Sequence, residues 1–189
     1  MNPKTIKAFI FDLDGTLFFT KKANDRSYKQ ATDSLGLLWN QKKYHQLFGL
    51  RFLEMIREMI PHISQEQTSQ IRQLKLEYYQ KNVDLIKPNK PLIQFLKYMK
   101  DQNFIICLAT TASQKNVDFI LQYFGLFNDF DYIVYGEDVE KGKPSPECFL
   151  KCMEKFKLSP PEVLIFEDSK SGEKAAKKCG AHYLIIKNE

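Results

Sequence analysis

Long apolar runs are missing from this 189-residue chain. None approaches the ~20 consecutive apolar residues that a membrane-spanning helix needs, and runs such as Phe104-Ile105-Ile106-Cys107-Leu108-Ala109 end at a polar residue. The amino-terminal stretch Ala8-Phe9-Ile10-Phe11 is halted by Asp12, too short for the apolar core of about 7–15 residues in a signal peptide, so no export is expected. Cysteine is scarce. Cys107, Cys148, Cys152 and Cys179 show no Cys-x-x-Cys spacing and fall inside patterned segments, which reads as free thiols in a reducing, cytoplasmic setting rather than a disulfide framework. The three histidines, His45, His62 and His182, are spread without metal-ligand spacing and read as surface or satisfied side chains. Internal repeats and low-complexity tracts are absent.

What is present is a composition that folds: 43% of the residues are hydrophobic and 27% charged, enough to bury a core in one domain or one domain with an insertion. The net charge of +5 comes from Lys and Arg scattered among Asp and Glu, without a nucleic-acid motif, so a solvated basic surface is the expectation. No nucleic-acid or membrane partner is expected.

Five short apolar runs read as buried strands: Lys7 to Phe11, Phe104 to Ala109, Tyr132 to Tyr135, Val163 to Phe166 and Tyr183 to Ile186. Helical patterns separate the last four. Pro91 to Lys100 aligns Leu92, Phe95, Leu96 and Met99, and Lys115 to Phe124 aligns Val117, Ile120, Leu121 and Phe124, with Gly125 as a stop. Ser145-Pro146-Glu147 opens a further helix with Pro146 at its first position, and Gly172 to Cys179 is a short helix ended by Gly180. Strands alternating with helices imply an α/β fold, a Rossmann-like parallel sheet covered on both faces. The stretch from about residue 18 to residue 86 is helical throughout, at Asn24 to Leu35, Phe52 to Ile60 and Gln65 to Val83, and is too long for an ordinary crossover. It reads as an inserted all-helical cap, residues 18–86, on a core made of residues 1–17 and 87–189.

The chemistry sits where strands end. Asp12-Leu13-Asp14-Gly15-Thr16 follows the first strand, and two carboxylates one residue apart can face a single site, although a plain turn also favours Asp and Gly. A calcium loop is excluded because Gly15 comes at position 4 rather than 6. Gly142-Lys143 is no Walker motif, lacking the upstream Gly and being followed by Pro144. Thr110-Thr111, Lys143 and Glu167-Asp168 follow the second, third and fourth strands at the same predicted edge, where open α/β sheets bind ligands. Each alone has a plain alternative: Thr110 or Glu167-Asp168 as a helix cap, Lys143 as a surface lysine.

Together these segments resemble the haloacid dehalogenase superfamily, whose four motifs are similar to Asp12-Leu13-Asp14-Gly15-Thr16, Leu108-Ala109-Thr110, Lys143-Pro144-Ser145-Pro146 and Glu167-Asp168-Ser169-Lys170-Ser171-Gly172, in that order. The likeness runs from about Ile6 to Ile186 and is strongest for the branch with a helical cap that holds sugar-phosphate phosphatases and β-phosphoglucomutase. It implies a Mg²⁺-dependent phosphatase acting on a small phosphorylated metabolite. Mg²⁺ would be held by Asp12, the Asp14 carbonyl and Asp168, with Glu167 acting through water; Asp12 would be the nucleophile and Asp14 the acid and base. Thr110, Lys143 and the backbone N–H groups of Leu13 and Thr111 would bind the phosphoryl oxygens. The physics agrees with such a set: a carboxylate meeting a phosphate dianion at about 4 Å is opposed by roughly 4 kcal/mol per charge pair at an effective dielectric near 20, so cations are required.

The acid at position 14 favours phosphoryl transfer over dehalogenation, since a halide leaves without a proton. In the cap, Arg51 is a candidate substrate-facing residue or an ordinary helix arginine, and Trp39, Phe48 and Phe52 read as cap core. Leu17-Phe18-Phe19-Thr20 departs from an Asp-Ser pair frequent in relatives, so the substrate cannot be copied across. A phosphosugar mutase using the same residues, and a non-catalytic phosphate-ester-binding module, are the competing readings. A monomer or weak dimer is expected.

Overall fold

The computed structural model describes residues 5–187. Five strands form a parallel sheet in the order β5-β4-β1-β6-β7: β1 (Ala8–Phe11), β4 (Ile105–Ala109), β5 (Tyr132–Val134), β6 (Val163–Glu167) and β7 (His182–Ile185). The first strand is central, with Ile10 opposite both Cys107 and Ile165. Strand alternation assigns the faces. Ala8, Ile10, Cys107, Ala109, Val163 and Ile165 turn toward α7 (Glu147–Lys155) and α8 (Lys170–Cys179), whose Phe149, Cys152, Ala175 and Ala176 complete a buried core. Phe9, Phe11 and Phe166 turn the other way. Phe9 meets Phe95 of α5 (Lys90–Asp101) edge-on at 5.3 Å between ring centroids, and Phe11 stacks on Phe166 at 4.8 Å. Each such ring contributes roughly 1.5–3 kcal/mol by leaving water. The remaining helix between strands, α6 (Gln114–Tyr123), buries Val117, Ile120 and Leu121.

The α/β sheet expected from the strand pattern is present, with each run within a residue or two of its expected place. Several helix starts shift by one to three residues, from Pro91, Lys115 and Asn24 to Lys90, Gln114 and Lys21 among them, and two further shifts flank the site. The helix after Lys143 begins at Glu147 and Pro146 is its N-cap, one position earlier than expected. The helix after Asp168 begins at Lys170, because Ser169 caps it by accepting a bond from the Gly172 N–H. It ends at Gly180, whose φ of 73° closes the last turn.

The chain divides into two compact units, one running to Phe18 and resuming at Pro88, the other spanning Phe19–Lys87. The second contains α1 (Lys21–Asp33), α2 (Gln41–Leu47), α3 (Phe52–Met59) and α4 (Gln65–Lys81). Its core is aromatic: Tyr28 stacks on Trp39 at 5.2 Å, and Trp39, Phe48 and Phe52 pack against buried Tyr28, Tyr44, Ile56 and Ile71. Trp39 Nε1 donates to Asp25 at 2.8 Å, satisfying a polar atom inside that cluster. Helix α2 has no counterpart in the sequence reading. Two short strands, β2 (Phe18–Phe19) and β3 (Lys87–Pro88), pair as a ribbon in the connecting segments, and Asn89 ties its N–H to the Leu17 carbonyl at 2.8 Å. Among the described residues no helix is long and apolar enough to cross a membrane. All four cysteines are free and buried.

Candidate active site

β1 ends at Phe11, and the Asp12 N–H still bonds the Phe166 carbonyl at 3.0 Å, so Asp12 is held by the sheet although it is past the strand. The chain then turns back on itself. Phe18 N–H reaches the Leu13 carbonyl at 3.0 Å and Gly15 N–H reaches the Phe18 carbonyl at 2.7 Å, while Asp14 bridges to Phe18. Gly15 sits at φ +92°, a conformation L side chains rarely adopt. Leu13 is buried and Asp14 half-buried.

Lys143 comes from the loop before α7, immediately ahead of a cis Lys143–Pro144 peptide, and only 5% of its surface is exposed. A surface lysine it is not. Its ammonium donates to Asp12 Oδ1 at 2.6 Å, to Glu167 Oε1 at 2.6 Å and to the Ala109 carbonyl at 3.1 Å, three acceptors for its three protons. Glu167, at the end of β6, uses its other oxygen to accept from the N–H groups of Asp168 and Ser169, both at 2.8 Å, and from the Ser169 hydroxyl at 3.0 Å. Both Glu167 oxygens are therefore occupied by protein donors. Asp168 lies over the Gly15 turn, and the Thr16 hydroxyl approaches its Oδ1 at 3.4 Å.

The electrostatics follow from this crowding. Burial pushes the Asp12 carboxyl well above the ordinary carboxylate range; Lys143 opposes the shift, and the charges of Glu167 and Asp168 add to it. Burial would raise Glu167 too, but Lys143 and the Ser169 donors outweigh it and hold that carboxyl below its usual value. Desolvation alone would lower Lys143, yet the two carboxylates hold its ammonium well above the usual lysine range. Two carboxylates thus share one ammonium, with the Asp168 charge acting on Asp12 beside them.

Thr110 extends β4 by donating its N–H to the Val134 carbonyl at 3.1 Å, and its hydroxyl accepts from the Ala112 N–H at 3.1 Å. It does not cap the next helix, whose N-cap is Ser113. Thr111 is half-buried, and its carbonyl lies so close to Gly136 that a Cβ there would come within 2.4 Å. Asp12, Lys143, Glu167 and Asp168, with the turn bearing Leu13, Asp14 and Gly15, are thus joined by short contacts, while Thr110 and Thr111 stand at the adjoining end of β4. Arg51 belongs to the helical unit, where it is the half-buried N-cap residue of α3.

Gly136 escaped the sequence reading, and Ser169 and Gly172 stood in it as letters of the fourth motif, without a role in the site. Gly172 is required because a Cβ there would fall 1.9 Å from Glu167 Cδ, Gly136 because of Thr111, and Ser169 because it holds Glu167. The glycines were visible as letters, but neither follows a turn pattern that would have announced a close approach.

No three His, Cys, Asp or Glu side chains converge as a self-sufficient metal cluster among the described residues. The donor set still suits magnesium, which keeps several waters and takes one or two carboxylates rather than a full protein cage. Asp12 and Asp168 with the Asp14 carbonyl are hard oxygen donors of that kind.

The chain is similar to known proteins along most of its length. A family model described as haloacid dehalogenase-like hydrolase matches residues 9–186. The phosphorylated carbohydrates phosphatase of Thermotoga maritima is 29% identical over 177 residues, covering 93% of this chain and 82% of its own length. Fructose-1-phosphate phosphatase YqaB of Escherichia coli is 26% identical over 180 residues, covering 90% and 91%. The crystal structure of CbbY from Rhodobacter sphaeroides in complex with phosphate superposes with a TM-score of 0.89 at 25% identity, over 98% of this chain and 88% of that one. On the family match and on the Asp12–Lys143–Glu167 arrangement that accompanies it, this chain is an enzyme of the haloacid dehalogenase-like hydrolase family.

Proposed function

We propose that this hydrolase is a Mg²⁺-dependent phosphatase that cleaves a small phosphate monoester, a sugar phosphate, a nucleotide or a similar metabolite, through an aspartyl-phosphate on Asp12. The observation that carries this reading is the buried Lys143 ammonium 2.6 Å from Asp12 Oδ1. A carboxylate in that position is aimed and charge-balanced, as a nucleophile toward an anion must be. The relatives named for phosphorylated carbohydrates and fructose 1-phosphate favour a sugar phosphate.

Asp12 forms the bond to phosphorus while the ester oxygen leaves, and Asp14, two residues on, supplies the proton that this oxygen takes up. In the second half Asp14 accepts a proton from water, whose oxygen displaces Asp12 and releases phosphate. Lys143 holds the nucleophile and offsets charge on the transferring group. Thr110, with the backbone N–H groups of Leu13 and Thr111, binds the equatorial oxygens. Bound at Asp12, Asp168 and the Asp14 carbonyl, Mg²⁺ supplies the remaining positive charge; Glu167 acts at one remove, through Lys143 and solvent. Arg51 is assigned to substrate recognition within the helical unit, whose residues 19–87 serve as the cap.

Phosphate release from a panel of monoesters, with and without Mg²⁺, tests the proposal. Wild type releasing no more phosphate than Asp12→Asn on every ester would sink it. Conversion of a hexose phosphate to its isomer, without phosphate release, would make the enzyme a mutase instead.

A further inference from the structure

The loop that delivers Lys143 has no regular structure between Val139 and Pro146, yet its ammonium must meet two carboxylates at hydrogen-bond distance. A lysine side chain gives up roughly 1.5–2 kcal/mol of rotamer freedom when fixed, so the backbone beneath it has to be anchored independently. The anchor is visible one helical step away. Glu147, the first residue of α7, turns its carboxylate back onto the loop: Oε1 accepts from the Glu140 N–H at 2.8 Å and Oε2 from the Lys141 N–H at 3.0 Å. Two adjacent amides on one carboxylate fix both position and orientation, and the charged acceptor makes both bonds stronger than neutral ones. The helix amino terminus favours a negative charge at this position.

A second contact ties the same helix to the lysine itself. The Phe149 ring, two residues after Glu147, lies 4.9 Å from the Lys143 ammonium. On its far side the loop is braced by Ser145 N–H on the Gly142 carbonyl at 3.0 Å and by the Lys178 ammonium on the Pro144 carbonyl at 3.0 Å. Helix α7 therefore grips the loop before Lys143 through Glu147 and supports the ammonium through Phe149.

We propose that Glu147 is a positioning residue for phosphoryl transfer: its carboxylate clamps the Glu140 and Lys141 amides and so keeps Lys143 on Asp12. Its catalytic side rests on the phosphatase reading above; the clamp itself does not. A glutamate that merely complements a helix end would alter thermal stability and leave Lys143 where it is.

The experiment compares wild type, Glu147→Gln and Glu147→Asp by competitive acetylation with limiting acetic anhydride, read lysine by lysine by mass spectrometry. Lys75, buried at 4% exposure, reports whether the helical unit is intact, and slow hydrogen exchange at the amides of β1 reports the same for the sheet. In Glu147→Gln the Lys143 label rises at least about tenfold through local opening of the loop while Lys75 and the β1 amides stay protected. On p-nitrophenyl phosphate with Mg²⁺, kcat falls by roughly tenfold to a hundredfold, as a displaced catalytic group predicts. In a Lys143→Ala background the same substitution adds less than about twofold, the non-additivity expected of one acting through the other. Lys143 as protected as in wild type, or a loss that multiplies fully in the Lys143→Ala background, overturns the proposal. Should Glu147→Gln expose Lys75 or the β1 amides as well, the shorter Glu147→Asp, which keeps the charge, is judged by the same criteria. If wild type releases no phosphate from any ester, the phosphatase reading fails, while the acetylation pattern still decides the clamp.

Discussion

Asp168 leaves no room above Gly15: a Cβ built there would come within 2.0 Å of Asp168 Oδ2 and 2.5 Å of its Cγ. Since the same glycine stands at φ +92°, Gly15→Ala must both strain the turn and push the carboxylate away. We expect kcat/KM to fall at least about tenfold and the Mg²⁺ concentration giving half-maximal rate to rise. A Mg²⁺ titration of the variant checks this; an unchanged half-maximal concentration would show that Asp168 does not serve the metal.

Lys143 neutralises two carboxylates that are themselves buried, so its removal should be felt in stability as well as in rate. Lys143→Met leaves Asp12 and Glu167 facing each other without an ammonium, and breaking a buried pair in this way costs roughly 3–5 kcal/mol. Adding Glu167→Gln removes one of the stranded charges and should recover part of that loss in urea unfolding, without recovering activity. Equal stability of the single and double variants would mean that Glu167 is not paired to Lys143 in solution.

The pattern of strands was legible because each of the five runs is apolar on consecutive positions, as the central strands β1, β4 and β6 must be between two covering layers. The edge strand β7 carries the same pattern but leaves Leu184 and Ile185 exposed, so the burial expected of it is not met. The site was legible for a related reason: at the ends of such runs Asp12 and Glu167 stand out as polar residues with a strand behind them, whereas Lys143 lies well past the end of β5 and was legible only through the motif Lys143-Pro144-Ser145-Pro146. What was hidden depends on tertiary contact. Helix α2 is seven residues with one buried side chain, Tyr44, too little for a periodic signal. The assignment of Glu167 to Lys143 rather than to solvent comes from the Ser169 and Asp168 amides folding under it, a local geometry that no spacing rule encodes. Pro146 illustrates the same limit, because either the N-cap or the first helical position accepts a residue without an N–H.

Asp14 should matter in proportion to how badly the departing oxygen needs a proton. For Asp14→Asn we expect a loss of roughly 10²–10⁴ on alkyl phosphates such as sugar esters. With p-nitrophenyl phosphate, whose leaving group departs as a stable anion, the loss in the Asp12 phosphorylation step should be much smaller. Single-turnover rates on the two substrates measure the difference. Equal losses would assign Asp14 a role in holding the turn rather than in proton transfer.

The buried thiols give the fold an alkaline limit. Burial pushes Cys148 from its ordinary 9.0 up to about 11, with Lys143 pulling against the shift. A group that holds its proton more tightly when folded contributes its stability below the unfolded value and loses it as pH rises toward the folded one. Between pH 9 and about 11 the unfolded chain therefore ionises while the folded chain does not, and the native state weakens by an amount of the order of 2 kcal/mol. Cys148→Ala lacks that group. Its urea midpoint, lower at pH 8 because a buried side chain has been cut back, should fall less steeply than that of wild type between pH 9 and 11, and parallel slopes would show that the thiol is not held protonated by the fold.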